Sequence, residues 1–292
     1  MISDAGGKIL VVGCGYLGQA VAARLQRRGL GVVALTRNPE TAATLAAMGV
    51  PTTVADLAGT DWYRQVPAGI TGVVNCVSAG GGGLEGYRRS YVEGMASLVS
   101  WLQLRPEVGT VVYTGSTSVY PGSGGSVVDE TAPVGGGERP RLLLEAEQRL
   151  LTAPGIRRAC VLRLAGLYGP GRDHLVEQVR TGTVSGHPET HLNLIHRDDA
   201  AAAVEAALLA AAGVAGGVFN VADEGRATRG EVVTWLAQRL GLPPPIFTGG
   251  DGLRREGPAP DRIILSSRAR AVLGWRPVFP SFREGYAGFV SP

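Results

Sequence analysis

Lysine is almost missing from this chain: 27 of its 28 basic residues are arginine, and the other is Lys8. A P-loop needs Gly-Lys-Ser/Thr, which does not occur, and no second lysine is present for Schiff-base work. Cysteine is nearly as sparse. Cys14, Cys76 and Cys160 are odd in number and match no metal or disulfide spacing, the usage of a reducing cytoplasm. Long apolar runs are lacking as well. The Ala-rich stretch 200–212 carries Glu205 and is too short to span a bilayer, and residues 1–30 contain no secretory signal pattern. Charge of one sign is scarce: the net charge is +3, and Arg88-Arg89, Arg157-Arg158 and Arg254-Arg255 are isolated pairs. No nucleic-acid stripe follows from that. These absences predict a cytoplasmic chain with no metal, membrane or nucleic-acid partner.

What is present is apolar and glycine-rich: 45% hydrophobic residues and 44 glycines in 292. Residues 8–13, 31–35, 50–55, 71–77 and 110–114 read as strands. Helical spacing fills 17–28, 38–48 and 84–104 between them, with Asn38-Pro39 as N-cap and N1. Further on, helices are expected at 142–151, 197–212 and 228–240, and strands at 159–164 and 218–221. This alternation predicts an α/β fold with a doubly wound parallel sheet. Two Gly/Pro-rich segments, 121–137 and 242–260, read as loops of the lid or binding kind.

Gly13-Cys14-Gly15-Tyr16-Leu17-Gly18 is GxGxxG placed after a strand and opening a helix, the context in which it binds a dinucleotide pyrophosphate. The second strand ends Leu35-Thr36-Arg37-Asn38 without the acidic residue that would hold a ribose 2′-hydroxyl. Arg37 instead suits a 2′-phosphate, so NADP is expected in preference to NAD. Asp56, followed by Leu57, is expected at the adenine, and Cys76, Val77 and Ser78 at the middle of the cofactor.

Five motifs then stand in order: Gly13–Gly18, Asp56-Leu57, Ser116-Thr117-Ser118-Val119-Tyr120, Arg163 to Gly171 (RLAGLYGPG) and Asn193 to Asp199 (NLIHRDD). Together they resemble the extended short-chain dehydrogenase/reductases, the NAD-dependent epimerase/dehydratase group. The resemblance implies a Rossmann domain over 1–165, with 193–222 returning to it. It also implies a smaller substrate lobe from 166–192 and 223–292. The family's catalytic Ser/Thr falls on Ser116. Tyr168 and Pro170 match the segment bordering the nicotinamide. A homodimer through helices 84–104 and 142–151 is the family's habit.

One part of the pattern is missing. The family's Tyr-x-x-x-Lys maps to Arg139 and Leu143, counting back from Leu144-Glu145-Ala146-Glu147. The lone Lys8 begins the first strand, at the sheet end opposite the crevice. Arginine stays protonated and exchanges no proton near neutrality. Arg139, Arg141 and Arg172 are therefore candidates for holding a substrate or ribose. Tyr120, Tyr168 and His174 are the candidates for moving a proton. His187, His191 and His196 are spaced by four and five, but no cysteine or fixed helix completes a zinc site.

The sequence thus predicts an NADP-preferring oxidoreductase or epimerase-like enzyme for a small polar substrate, with a non-standard acid/base. Its alternative is a catalytically silent NADP-binding sensor or scaffold.

Overall fold

The computed structural model describes residues 7–250 and 260–291. The Arg254-Arg255 pair and residues 251–259 of the second expected loop lie outside them. Strand β1 (Lys8–Val12) is a continuous apolar run buried at Ile9 through Val12, as a central parallel strand must be. Helix α1 (Tyr16–Arg27) buries Leu17, Val21 and Leu25 as one stripe. β2 (Gly31–Thr36) leads into α2 (Pro39–Ala47), where the Asn38 side chain accepts the Glu40 and Thr41 N–H groups. β3 (Thr52–Val54) and β4 (Ile70–Asn75) follow.

The expected helix over 84–104 is interrupted. It forms α3 (Gly83–Tyr87), a π-helical turn over Arg88–Glu93, and α4 (Gly94–Gln103). A π-turn inserts an extra residue without breaking the helical path, and such turns gather at functional sites. β5 (Thr110–Ser116) comes next, then β6 (Ser126–Val128), which lies inside the first expected loop. α5 (Glu138–Leu151) begins four residues before its expected start, with Pro140 in its first turn, where a missing N–H costs nothing.

β7 (Arg158–Leu164), β8 (Gly166–Tyr168), α6 (His174–Arg180), β9 (Thr183–Val184) and β10 (Leu194–His196) lead to α7 (Arg197–Leu209). The chain closes with β11 (Gly217–Val221), α8 (Arg229–Arg239), β12 (Ile246–Phe247), β13 (Arg262–Ile264), α9 (Ser267–Leu273) and α10 (Phe282–Ala287). β12 lies inside the second expected loop and pairs with β9.

The central sheet is parallel, in the order β11-β7-β5-β4-β1-β2-β3. Chain order reverses between β1 and β4, which places a ligand crevice beyond their C-terminal ends. One face is covered by α1 and α7, with Val21, Leu25, Ala203 and Leu208 in its core. On α7, buried Glu205 pairs with Arg24 and Arg28 of α1. The other face packs on α4 through Met95, Leu98 and Trp101, the last stacked 5.3 Å from Trp62. A third cluster joins α6, α8 and α10 around Val176, Leu236 and Phe282. The C-terminal segment is not confined to that cluster. Ile264, Ala269 and Trp275 pack into the α1/α7 core, and Trp275 Nε1 donates to the Asp199 carbonyl at 3.0 Å. No helix among the described residues is long and apolar enough to cross a membrane.

Candidate active site

The crevice is a cleft of about 550 Å³. Its floor begins at the glycine loop. Gly13 has φ +78, and a Cβ on it would lie 2.6 Å from the Val77 amide nitrogen. The left-handed region and this close approach both require glycine. A Cβ at Gly18 would collide with the Gly13 carbonyl oxygen, so the third glycine lets helix meet strand. Gly15, the N-cap of α1, has open space where a Cβ would be, and the loop presents N–H groups at the positive end of a helix. Such a cradle fits a pyrophosphate.

Arg37, exposed at the end of β2, donates from Nη2 to the Ala79 carbonyl at 3.3 Å. Thr36 Oγ1 accepts the Asn38 N–H. Asp56 Oδ1 accepts the Ala58 N–H at 3.0 Å, and Oδ2 lies 2.8 Å from Arg89. Burial works to raise the Asp56 carboxyl, but that N–H and the Arg89 guanidinium outweigh it and hold it below the usual range. Leu57 is buried beneath, against Gly94. Cys76, Val77 and Ser78 line the cleft beyond β4. Burial pushes the Cys14 and Cys76 thiols up to about 12, so neither is a thiolate near neutrality.

Ser116 ends β5 on the cleft wall, its Oγ accepting the Ser118 N–H at 3.1 Å. Tyr16 and Arg172 line the same space. Two guanidinium groups approach the Tyr16 ring, Arg172 at 5.4 Å and Arg197 at 5.1 Å.

The three expected proton carriers are elsewhere. Tyr120 is buried and donates to Asn220 Oδ1 at 2.9 Å while accepting from Arg163 at 2.7 Å. Arg163 in turn grips Glu147 with Nε and Nη2, the shortest contact being 2.6 Å. Tyr120 therefore belongs to a buried polar chain under the sheet. Tyr168 is 2% exposed, with its ring 4.6 Å from Tyr286 and its hydroxyl 3.4 Å from the Ser281 carbonyl. Burial raises its pKa strongly, and it packs in the α8/α10 cluster. His174 opens α6 on the surface and meets Gln178 at 2.7 Å. None of the three lines the cleft.

Helix α5 is equally removed. Leu143 is 3% exposed in the core. Arg139 lies 5.3 Å over the Tyr87 ring, and Arg141 is exposed. Among the described residues no three His, Cys, Asp or Glu side chains cluster as metal ligands.

One cleft residue escaped the sequence reading, and another is weighed there only as a zinc ligand. Tyr91 faces the cleft from the π-turn, and His191 faces it from the segment before β10. A π-turn leaves no mark in a helical apolar pattern. The hydrogen bond of His191 to Asp261 joins residues far apart in the chain.

A profile of the NAD dependent epimerase/dehydratase family matches residues 9–222. Protein YeeZ of Escherichia coli (strain K12) is 28% identical over 285 residues, 94% of this chain and 96% of that one. A 3-diazoavenalumate denitrifying reductase of Streptomyces sp is 31% identical over 184 residues, 56% of this chain and 59% of its own. The solved structure of MoeE5 in complex with UDP-glucose and NAD has TM-score 0.82, with 24% identity over 96% of each chain, a likeness of fold. With the sheet order and the glycine cradle pointing the same way, the family match over most of its length establishes that the chain belongs to the NAD dependent epimerase/dehydratase family.

Proposed function

We propose that the chain is an NAD(P)-dependent oxidoreductase or epimerase-like enzyme of the extended short-chain type, NADP preferred, acting on a small polar substrate. The observation that carries this reading is the glycine cradle at the β1/β4 switch point, opening directly onto the cleft. A nicotinamide dinucleotide bound there supplies hydride chemistry. Gly13, Gly15, Tyr16, Leu17 and Gly18 hold its pyrophosphate against the α1 N-terminus. Thr36, Arg37, Asp56 and Leu57 surround its adenosine end, and Cys76, Val77 and Ser78 flank its middle. The exposed guanidinium of Arg37 supports NADP, since no carboxylate stands at the end of β2.

Ser116 orients a substrate oxygen or nitrogen through its hydroxyl, and Arg172 attracts an anionic substituent. The acid/base is non-standard, because the family's lysine position is a buried leucine and its tyrosine position an arginine. That loss also favours a second reading, a silent NADP-binding sensor or scaffold. A cytoplasmic setting and a homodimer through α4 and α5 complete the proposal.

Titration of the full chain with NADPH and NADH tests it. Micromolar binding of NADPH is expected, and no binding of either nucleotide at millimolar concentration would sink both readings. Turnover of carbonyl or imine compounds with the bound nucleotide separates enzyme from sensor.

A further inference from the structure

Beyond the Ser116 turn the cleft is walled by His191. Its Nδ1 lies 2.8 Å from Asp261 Oδ1, and its backbone N–H donates to the same oxygen at 2.9 Å. An ionised carboxylate accepts only, so Nδ1 carries the hydrogen and the neutral ring keeps its lone pair on Nε2. Asp261 is itself fixed: its N–H donates to the Gly122 carbonyl and its carbonyl accepts the Gly125 N–H, both at 3.2 Å. The ring is stacked so closely on Gly125 that a Cβ there would lie 2.8 Å from Cε1. Next to Asp261, Arg262 Nη2 donates to the Thr117 carbonyl at 2.8 Å. The pair is thereby tied to the turn that carries Ser116.

The other cleft groups are poorer proton carriers. Burial pushes the Tyr91 hydroxyl up to about 12 and raises that of Tyr16. Arg172, Arg229 and Arg262 hold their protons. His187 is half exposed and 3.9 Å from the Glu189 carboxylate, too far for a hydrogen bond.

We propose that His191, oriented by Asp261, exchanges the proton with the substrate in this cleft, in the place of the family's tyrosine. The proposal rests on the reading that the cleft takes a nicotinamide dinucleotide, which accounts for the hydride half of the reaction. In the reductive direction the imidazolium Nε2–H passes its proton to a lone pair on the substrate oxygen or nitrogen, and the neutral ring regains a proton from water. In the oxidative direction the Nε2 lone pair takes the proton of a substrate hydroxyl. Asp261 is a positioning residue. Burial works to raise its carboxyl, but the His191 N–H groups outweigh burial and keep it low. The other charged groups on this side are Glu231, held low chiefly by the Thr228 N–H and hydroxyl, and Arg229 and Arg262 in the cleft wall.

Nitrogen-15 NMR of the histidine-labelled full chain reads the pair without nucleotide or substrate. The neutral His191 ring should carry its hydrogen on Nδ1, and Asp261→Ala, which removes the acceptor, should release that hydrogen toward Nε2. In parallel, His191→Gln and His191→Asn are assayed on a panel of aldehydes, ketones and imines with NADPH. Turnover should fall by about 10²–10⁴-fold, with NADPH affinity and melting temperature unchanged. A hydrogen on Nε2 in the parent, a tautomer indifferent to Asp261→Ala, or a His191→Gln chain as active as the parent each overturns the proposal. So does a parent inert on the whole panel, and that result leaves the nucleotide reading standing. A parent that binds neither nucleotide overturns that reading first, and this proposal with it.

Discussion

Gly13 stands so near Val77 that a Cβ on it would lie 2.6 Å from the Val77 amide nitrogen, although two residues later Gly15 faces open space. The two glycines therefore fail differently when replaced. Gly13→Ala strains a left-handed turn and pushes β1 from β4, at a cost of about 1–3 kcal/mol by urea denaturation. Gly15 has φ −74, which alanine accepts, so Gly15→Ala should leave the denaturation midpoint in place. In the proposed reading its methyl occupies the space the pyrophosphate needs, and nucleotide affinity should drop by at least tenfold. An alanine at Gly15 that binds NADPH like the parent would place the pyrophosphate elsewhere.

In the proposed reading, Arg37 carries the preference for a 2′-phosphate. Arg37→Asp should weaken NADPH by about 10- to 100-fold, the worth of a charged hydrogen bond, and spare NADH. Equal loss for both nucleotides would refute that role.

Glu147 and Arg163 are buried and bound to one another by three contacts of 3.1 Å or less. Glu147→Ala leaves a buried guanidinium without its carboxylate and should cost about 3–5 kcal/mol. Glu147→Leu combined with Arg163→Met should recover much of that loss. Tyr120→Phe removes both the bond to Asn220 and the one accepted from Arg163, and should cost about 1–3 kcal/mol with nucleotide binding intact. Denaturant curves of the four chains check the set; a neutral Glu147→Ala would break it.

Asp223 is 7% exposed, and burial pushes its carboxyl up to about 8 even though the Gly225 N–H works to lower it. Asp199, Glu284 and Glu224 add repulsion. The unfolded group titrates at about 3.9. Between roughly pH 4 and pH 8 the native state therefore holds more proton than the unfolded state, and stability falls as pH rises, by at most about 1.4 kcal/mol per unit. Asp223→Asn should match the parent near pH 4 and exceed it at pH 8. Parallel stability–pH curves for the two chains would refute the assignment.

The Rossmann half of the fold is legible because β1, β2, β4 and β5 are apolar runs bounded by turns, and glycines punctuate them where φ is positive. The pairing of β6 with β13 is not legible: each strand has three residues, and their partners lie more than a hundred positions apart. For the same reason Ser126 to Val128 reads as loop. Helix-like apolar spacing continues through Arg88–Glu93, so the π-turn and the inward aim of Tyr91 leave no trace. At the site, the nucleotide cradle is written as contiguous motif. The groups nearest to chemistry are assembled by tertiary contact. Tyr120, Tyr168 and His174 sit near motif residues in sequence, yet two are drawn into packed networks and one points to solvent.

The short parallel ladder of β6 and β13, with Arg262 reaching the Thr117 carbonyl, stitches the end of the chain to the middle. A stitch of that kind makes two distant segments one opening unit. Amide hydrogens of Ser126–Val128 and Arg262–Ile264 should then exchange with solvent together, at one free energy. Every such opening also releases Asp261 and the serine turn at once, so that wall of the cleft is assembled or dismantled as a whole.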